Sequence, residues 1–366
     1  MKNKLTIKKL STYLIPVLLM ATIASCKKDH DVKIAPPGKY ENGFFIVNEG
    51  WYGHGTGSVS FFDYAKGTLT DSIFTKENPG KTLLPATSSL EFGTVYNHKL
   101  YLLSKAGGPL VVTDDMSLKE TGRIDSAGSN DWRAFVGIDN NTGLVSTGDG
   151  IYQLNLQTVK LGTKISGVSG EVGDLIKAGN YVFALSQSAG VVVLNASNYT
   201  IAKTIPGLEV AFARSKDGAI WAAGGNQLVR IDPATLDVQN ITVPFTVNGS
   251  WGAWHPGSIA ASTTENTIFL AKNGPYSGGT EIYKYTPGNS TSFTTPFITV
   301  PAGKELYGAG LAFNAKLNQL VVSTVKSGYG INYSVNDLFF YDASSGSQTK
   351  DIPYTGYYFP ATFVFH

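Results

Sequence analysis

Cysteine is almost absent: one thiol in 366 residues, Cys26, so no intrachain disulfide can form and any fold must rest on packing and backbone pairing. Histidine is scarce too. Setting aside His30 and the terminal His366, only His54, His98 and His255 remain, with no His-Glu-x-x-His spacing, so neither a zinc centre nor any other metal site is expected. No Gly-x-Ser-x-Gly elbow occurs, and no convergent set of acids and bases can be assembled. Gly53-His54-Gly55-Thr56-Gly57 joins two β-type runs rather than a strand to a helix, which removes the helix N-terminus a phosphate loop needs. No catalytic residues are therefore expected. Charged residues make up only 15% of the chain and form no basic stripe, which argues against nucleic acid as a partner. Long apolar runs at helical spacing are missing as well.

What is present begins with a leader. Lys2, Lys4, Lys8 and Lys9 precede the apolar stretch Leu10 to Ala24, the layout of a secretory signal over residues 1–25. Its 15 residues include Ser11, Thr12 and Pro16 and fall short of the ~20 that a bilayer-spanning helix requires. It ends in Ile23-Ala24-Ser25-Cys26, which resembles a lipobox and makes Cys26 the expected lipidation site. The alternative is an unpaired or intermolecularly paired thiol. The leader holds four of the 29 basic residues and no acid, leaving 25 basic against 27 acidic side chains beyond it. Residues 26–40, opening with Lys27-Lys28-Asp29-His30-Asp31, are expected to form a solvated tether. That charged run resembles the export signal by which Bacteroidota send lipoproteins to the outer face of the outer membrane. Lipid anchorage there is the expected location and the only membrane contact, with the periplasmic face as the alternative. Asp71-Ser72-Ile73 and Asp125-Ser126-Ala127 resemble the O-glycosylation motif of the same phylum.

From residue 41 to 366 the chain repeats. Seven segments share a short β-type run, a Gly-containing loop, and a second β-type run ending in Asp, Asn or Thr, as in Tyr181 to Leu185 followed by Val191 to Asn195. Turn formers follow, such as Asp232-Pro233-Ala234-Thr235, where Asp accepts a backbone hydrogen bond and Pro presets φ. A third run comes next, for example Ile201 to Ile205 or Val238 to Val243. Ahead of each unit except the first lies a run rich in small residues: Phe92 to Tyr96, Ala134 to Ile138, Val172 to Lys177, Val210 to Ser215, Ser258 to Ser262 and Gly308 to Phe313. The first unit lacks this run, and Pro360 to His366 is a surplus one at the C-terminus. Four antiparallel strands per unit, seven units 37 to 56 residues apart, and one strand displaced from start to end predict an all-β, seven-bladed β-propeller whose C-terminal strand, Ala361 to Phe365, closes the N-terminal blade. A β-sandwich predicts short strands but not the displaced one.

The chain resembles the YncE-like and YVTN-type seven-bladed propellers, whose repeats end in a β run, Asp or Asn, and a Thr-containing turn. Ile231-Asp232-Pro233-Ala234-Thr235 matches best and Leu154-Asn155-Leu156-Gln157-Thr158 next. With the lipobox and tether, Gly43 to Trp51 and Gly57 to Asp63 also resemble the surface propeller lipoproteins of Bacteroidota that include the vitamin B12-capturing one. That resemblance implies a corrinoid as ligand, not cofactor, and a TonB-dependent outer-membrane transporter as partner.

The blade plan places the long, aromatic loops on one face and brief polar turns on the other, which suggests a concave recognition surface. Trp51, Tyr52, Trp132, Arg133, Trp251, Trp254, Tyr276, Tyr329 and Tyr357 are the expected ligand contacts, with Asn130 and Asp131 as polar partners. The expected function is non-enzymatic binding of a bulky nutrient and its transfer to the transporter. Two alternatives stand beside it: a protein-binding scaffold at the cell surface, and a quinone-dependent dehydrogenase, whose calcium and cofactor motifs are not evident.

Overall fold

Strands in the middle of each repeat read as unbroken apolar runs because neighbouring sheets cover both of their faces. Gly43–Asn48 and Gly190–Asn195 are buried almost end to end. Outer strands are the reverse. Lys160–Lys164 is exposed at every position, and Gln348–Thr355 carries Lys350 and Pro353 on its solvent edge, residues that discourage edge-to-edge pairing. This computed structural model describes residues 38–83, 85–125, 131–247, 257–274 and 279–366.

The strands form seven four-stranded antiparallel sheets, a seven-bladed β-propeller. In blades two to seven the chain runs from the inner strand outward. Those inner strands are Ser89–Tyr96, Trp132–Gly137, Val172–Ala178, Phe212–Arg214, Ile259–Ala261 and Lys304–Asn314. The first blade differs as the sequence predicts: its inner strand is Pro360–Phe365, paired with Gly43–Asn48 in the register Phe44↔Phe365, Ile46↔Phe363 and Val47↔Thr362. The pairing continues into the loop, where the N–H groups of Glu49 and Gly50 donate to the carbonyls of Phe359 (2.8 Å) and Tyr358 (3.1 Å).

The repeat signature has a local cause. At the end of the third strand, Asp63, Asp114, Asn155, Asp232 and Asp342 each accept the backbone N–H groups two and three residues on, for example Asp232 from Ala234 (2.8 Å) and Thr235 (3.3 Å). The residue after that enters the left-handed region, a glycine at Gly67 and Gly346 but a strained Leu118, Val159 and Leu236 elsewhere.

The core lies between adjacent blades as a series of clusters. Between the seventh and first blades, Phe44, Phe62 and Phe340 meet, with ring centroids 4.8 Å apart for Phe62–Phe340 and 5.1 Å for Phe44–Phe365. Two features depart from the sequence reading. Residues 38–40, assigned to the tether, pack against the propeller: Tyr40 is buried among Phe45 and Phe61, its N–H donates to the Met116 carbonyl, and its hydroxyl meets Glu77. An aromatic ring beside an open apolar edge is better placed there than in water. A short helix, α1 (Ile73–Glu77), also links the first two blades; its buried Ile73–Phe74 pair is too brief to show a helical period. The leader, Cys26 and the rest of the tether lie outside the described residues.

Candidate functional site

Inner strands depart from regular pairing where they approach the long-loop face. Register shifts fall between Leu90 and Phe92, Trp132 and Phe135, Val172 and Asp174, and Leu306 and Leu311. A bulge re-aims a side chain out of strict alternation, and the displaced residues here include Glu91, Arg133 and Tyr307. Glu91 is buried and lies 2.6 Å from the Lys105 ammonium. Burial pushes its carboxyl up to about 7, against the downward pull of Lys105. Arg133 is held between Asp131 (2.7 Å) and Glu171 (3.0 Å). Tyr307 donates its hydroxyl to Oε2 of Glu49 at 3.1 Å.

Above this charged floor is a cavity of about 670 Å³ lined by Glu49, Trp51, Tyr52, Lys105, Tyr307, Ile331, Tyr333, Tyr357 and Phe359. The Trp51 indole stacks on Tyr357 (4.2 Å between centroids) and on His54 (4.0 Å). Tyr307, Tyr333 and Phe359 form a second aromatic group with centroids 5.4 to 6.0 Å apart. Burial, and then the charge of Glu91, raise the Glu49 carboxyl well above its usual range. The opposite mouth of the ring holds a cavity of about 630 Å³ bordered by Tyr96, Phe135, Asp174, Lys177 and Arg214. There Asp174 accepts the N–H groups of Leu175 (2.8 Å) and Phe212 (3.1 Å), and burial raises its carboxyl to about 7.

Of the contacts expected from sequence, Trp51, Tyr52 and Tyr357 line the cavity, and Tyr329 touches its wall through Tyr333 (6.0 Å). Trp132 does not belong there. It is wholly buried in the core shared by the second, third and fourth blades, because it opens the inner strand opposite Thr147 rather than ending the loop. Arg133 and Asp131 pair with each other, and Asp131 also accepts the Ala106 N–H (3.0 Å), so both brace loops. Asn130, Trp251, Trp254 and Tyr276 lie outside the described residues. Sequence reasoning passed over Glu49, Lys105, Tyr307, Ile331, Tyr333 and Phe359 as contacts. The available signal was an acid at a strand end before glycine, Asn48-Glu49-Gly50, and a second acid inside a run of small and apolar residues, Ser89-Leu90-Glu91-Phe92-Gly93. Among the described residues no group of three or more His, Cys, Asp or Glu side chains is gathered as a metal site would require, and no helix is long and apolar enough to cross a membrane.

Seven closed blades with a cavity at each mouth define the chain as a seven-bladed β-propeller. It belongs to the family described as a domain of unknown function (DUF5074), whose model matches residues 42–366. No curated protein matches it. Among solved structures it is similar to a protein from Lactobacillus plantarum, with a TM-score of 0.62 and 12% identity over 88% of this chain and 98% of the other. It is also similar to the dihydro-heme d1 dehydrogenase NirN in complex with DHE, with a TM-score of 0.56 and 12% identity over 90% of this chain and 76% of that one. A chain of the mitotic checkpoint complex matches with a TM-score of 0.55 and 13% identity over 79% and 87%. Likeness at such identities establishes the shared fold and nothing of the ligand.

Proposed function

We propose that this propeller is a non-enzymatic binding protein whose long-loop cavity takes a bulky, partly apolar small molecule. The observation that carries the reading is the cavity itself. At about 670 Å³ it is of the size that holds a small ligand rather than a flat patch for a protein, and its walls are aromatic with few polar groups. Trp51 and Tyr52, 40% and 59% exposed, offer flat surface to an incoming molecule, and the stacked partner Tyr357 stiffens Trp51.

The finer proposal is a corrinoid, captured at the cell surface by a protein anchored through Cys26 and passed to an outer-membrane transporter. It is supported by the lipobox, the charged tether and the resemblance of Gly43 to Asp63 to surface propeller lipoproteins. A corrinoid is broad, has apolar faces and is ringed with amides; the Trp51–Tyr357 stack suits the faces, and tyrosine hydroxyls suit the amides. Calorimetry with cyanocobalamin, on the wild type and on a Trp51→Ala, Tyr357→Ala double variant, tests it. Micromolar binding that weakens at least about tenfold in the double variant is expected, the equivalent of about 1.4 kcal/mol. Absence of heat from the wild type removes the corrinoid, and equal affinity in the double variant removes this cavity. Labelling of intact cells with a membrane-impermeant probe tests the location: protein labelled only after lysis would place it at the periplasmic face.

A further inference from the structure

Among the side chains that line the cavity, Glu49 carries a buried oxygen, Oε1, with no hydrogen-bond partner among the described residues. The side chain is 4% exposed, its backbone is fixed by the Phe359 carbonyl, and Oε2 accepts the Tyr307 hydroxyl, while Oε1 accepts no hydrogen bond among the described residues. A buried carboxylate oxygen left in this state is unfavourable unless something else supplies a donor.

The groups that act on Glu49, itself in the first blade, come from two others: Glu91 and Lys105 from the second and the phenol of Tyr307 from the seventh, while Arg133 of the third acts on Glu91. Arg133 is engaged by Asp131 and Glu171, and Lys105 sits 2.6 Å from Glu91. Glu49 and Glu91 thus set two buried carboxyl groups beside one close ammonium. The walls above are aromatic faces, whose negative quadrupoles attract cations.

We propose that the ligand presents a positively charged nitrogen, an ammonium or amidinium on its apolar body, to Glu49 at the floor of this cavity. The inference rests on the cavity being the binding site and is independent of the corrinoid. A cation supplies N–H donors to Oε1, balances the second carboxylate and lies against the rings. A neutral head satisfies the oxygen without balancing the charge, and an anionic one adds a third negative group. In the empty cavity, burial and then the charge of Glu91 favour the protonated form of Glu49. A bound cation favours the ionised form, so binding of the protonated ligand is coupled to proton release and weakens as pH falls.

The test compares two probes of one shape on the full chain, 1-naphthylmethylamine and 1-naphthalenemethanol, by ligand-observed NMR titration. The amine should bind about tenfold tighter to the wild type. That preference should vanish in Glu49→Gln, which keeps the size of the side chain and the acceptor for Tyr307. It should also shrink as pH falls. Calorimetry of the amine in two buffers of different ionisation enthalpy reads proton release without any variant. Equal binding of both probes to wild type and Glu49→Gln overturns the cation while leaving the cavity as the site. Failure of both probes to bind the wild type overturns the cavity reading and the inference with it.

Discussion

The side of the ring where the first and seventh blades meet differs from the side where the fourth and fifth meet. At the first, the packing is aromatic: Phe44, Phe62 and Phe340, flanked by Tyr64, Phe363 and Phe365. At the second, Phe183 is surrounded by Leu185, Val191, Val193, Ile220, Val229 and Ile231. The loops above follow suit. The aromatic cavity overlies the first junction, whereas on the other side the second and third strands are joined by residues 187–189 and 225–226. In every other blade a covalent hairpin ties the inner strand to its neighbour; in the first blade only hydrogen bonds and packing do. Rings that bury 150–250 Å² each supply the missing cohesion. The same concentration of aromatics leaves surplus rings at the rim, where they can meet a ligand.

The comparison is broken most severely by deleting residues 360–366. That exposes both a hydrogen-bonding edge and the rings beneath it, and should abolish the single cooperative thermal transition. A smaller break contrasts the two junctions directly: Phe44→Ala should cost about 3–5 kcal/mol in chemical denaturation, and Val193→Ala about 2 kcal/mol. Equal losses would mean that the aromatic junction is no more dependent on its packing than the aliphatic one. Asp174→Asn, on the far side, should cost about 1–3 kcal/mol through one lost acceptor for the Leu175 or Phe212 N–H. Asp174 has its carboxyl raised from 3.8 to about 7 by burial, so the folded state holds the proton more tightly than the unfolded one. Its contribution to stability is present at acid pH and is lost as pH rises between about 4 and about 7. The Asn variant should lose less stability than the wild type across that window, measured as the melting temperature against pH. The smallest effect on stability is expected at the rim, where Trp51→Ala should stay within about 0.5 kcal/mol of wild type while weakening binding. Trp132→Ala sharpens the contrast, since loss of a wholly buried indole should cost about 3–5 kcal/mol.

The ring and its closure were legible because they are written locally. Turns such as Asp232 to Thr235 are fixed by bonds within four residues, and the small-residue inner strands stand out one per blade. Where a strand bends, legibility fades. The run expected at Gly308 to Phe313 is part of Lys304–Asn314, which continues through Tyr307 to Gly310 only because Gly308 and Gly310 take positive φ (56° and 47°). The rim aromatics Trp51, Tyr52 and Tyr357 could be placed by loop length alone. Trp132 could not, since a residue at a loop end and one at a strand start look the same until pairing decides. Glu49, Glu91 and Lys105 meet only after two blades close side by side, and no spacing along the chain encodes that encounter.

The closing strand also sets an order of events during synthesis. The first blade to begin is the last to be completed, because its inner strand, Pro360–Phe365, is translated after the other six blades. Until then Gly43–Asn48 presents an open edge and unmated phenylalanines while the other six blades are translated, an invitation to wrong partners. Rapid folding of the middle blades would shorten the search but cannot end it, and helper proteins that shield nascent β edges are expected to engage this chain at its N-terminal blade.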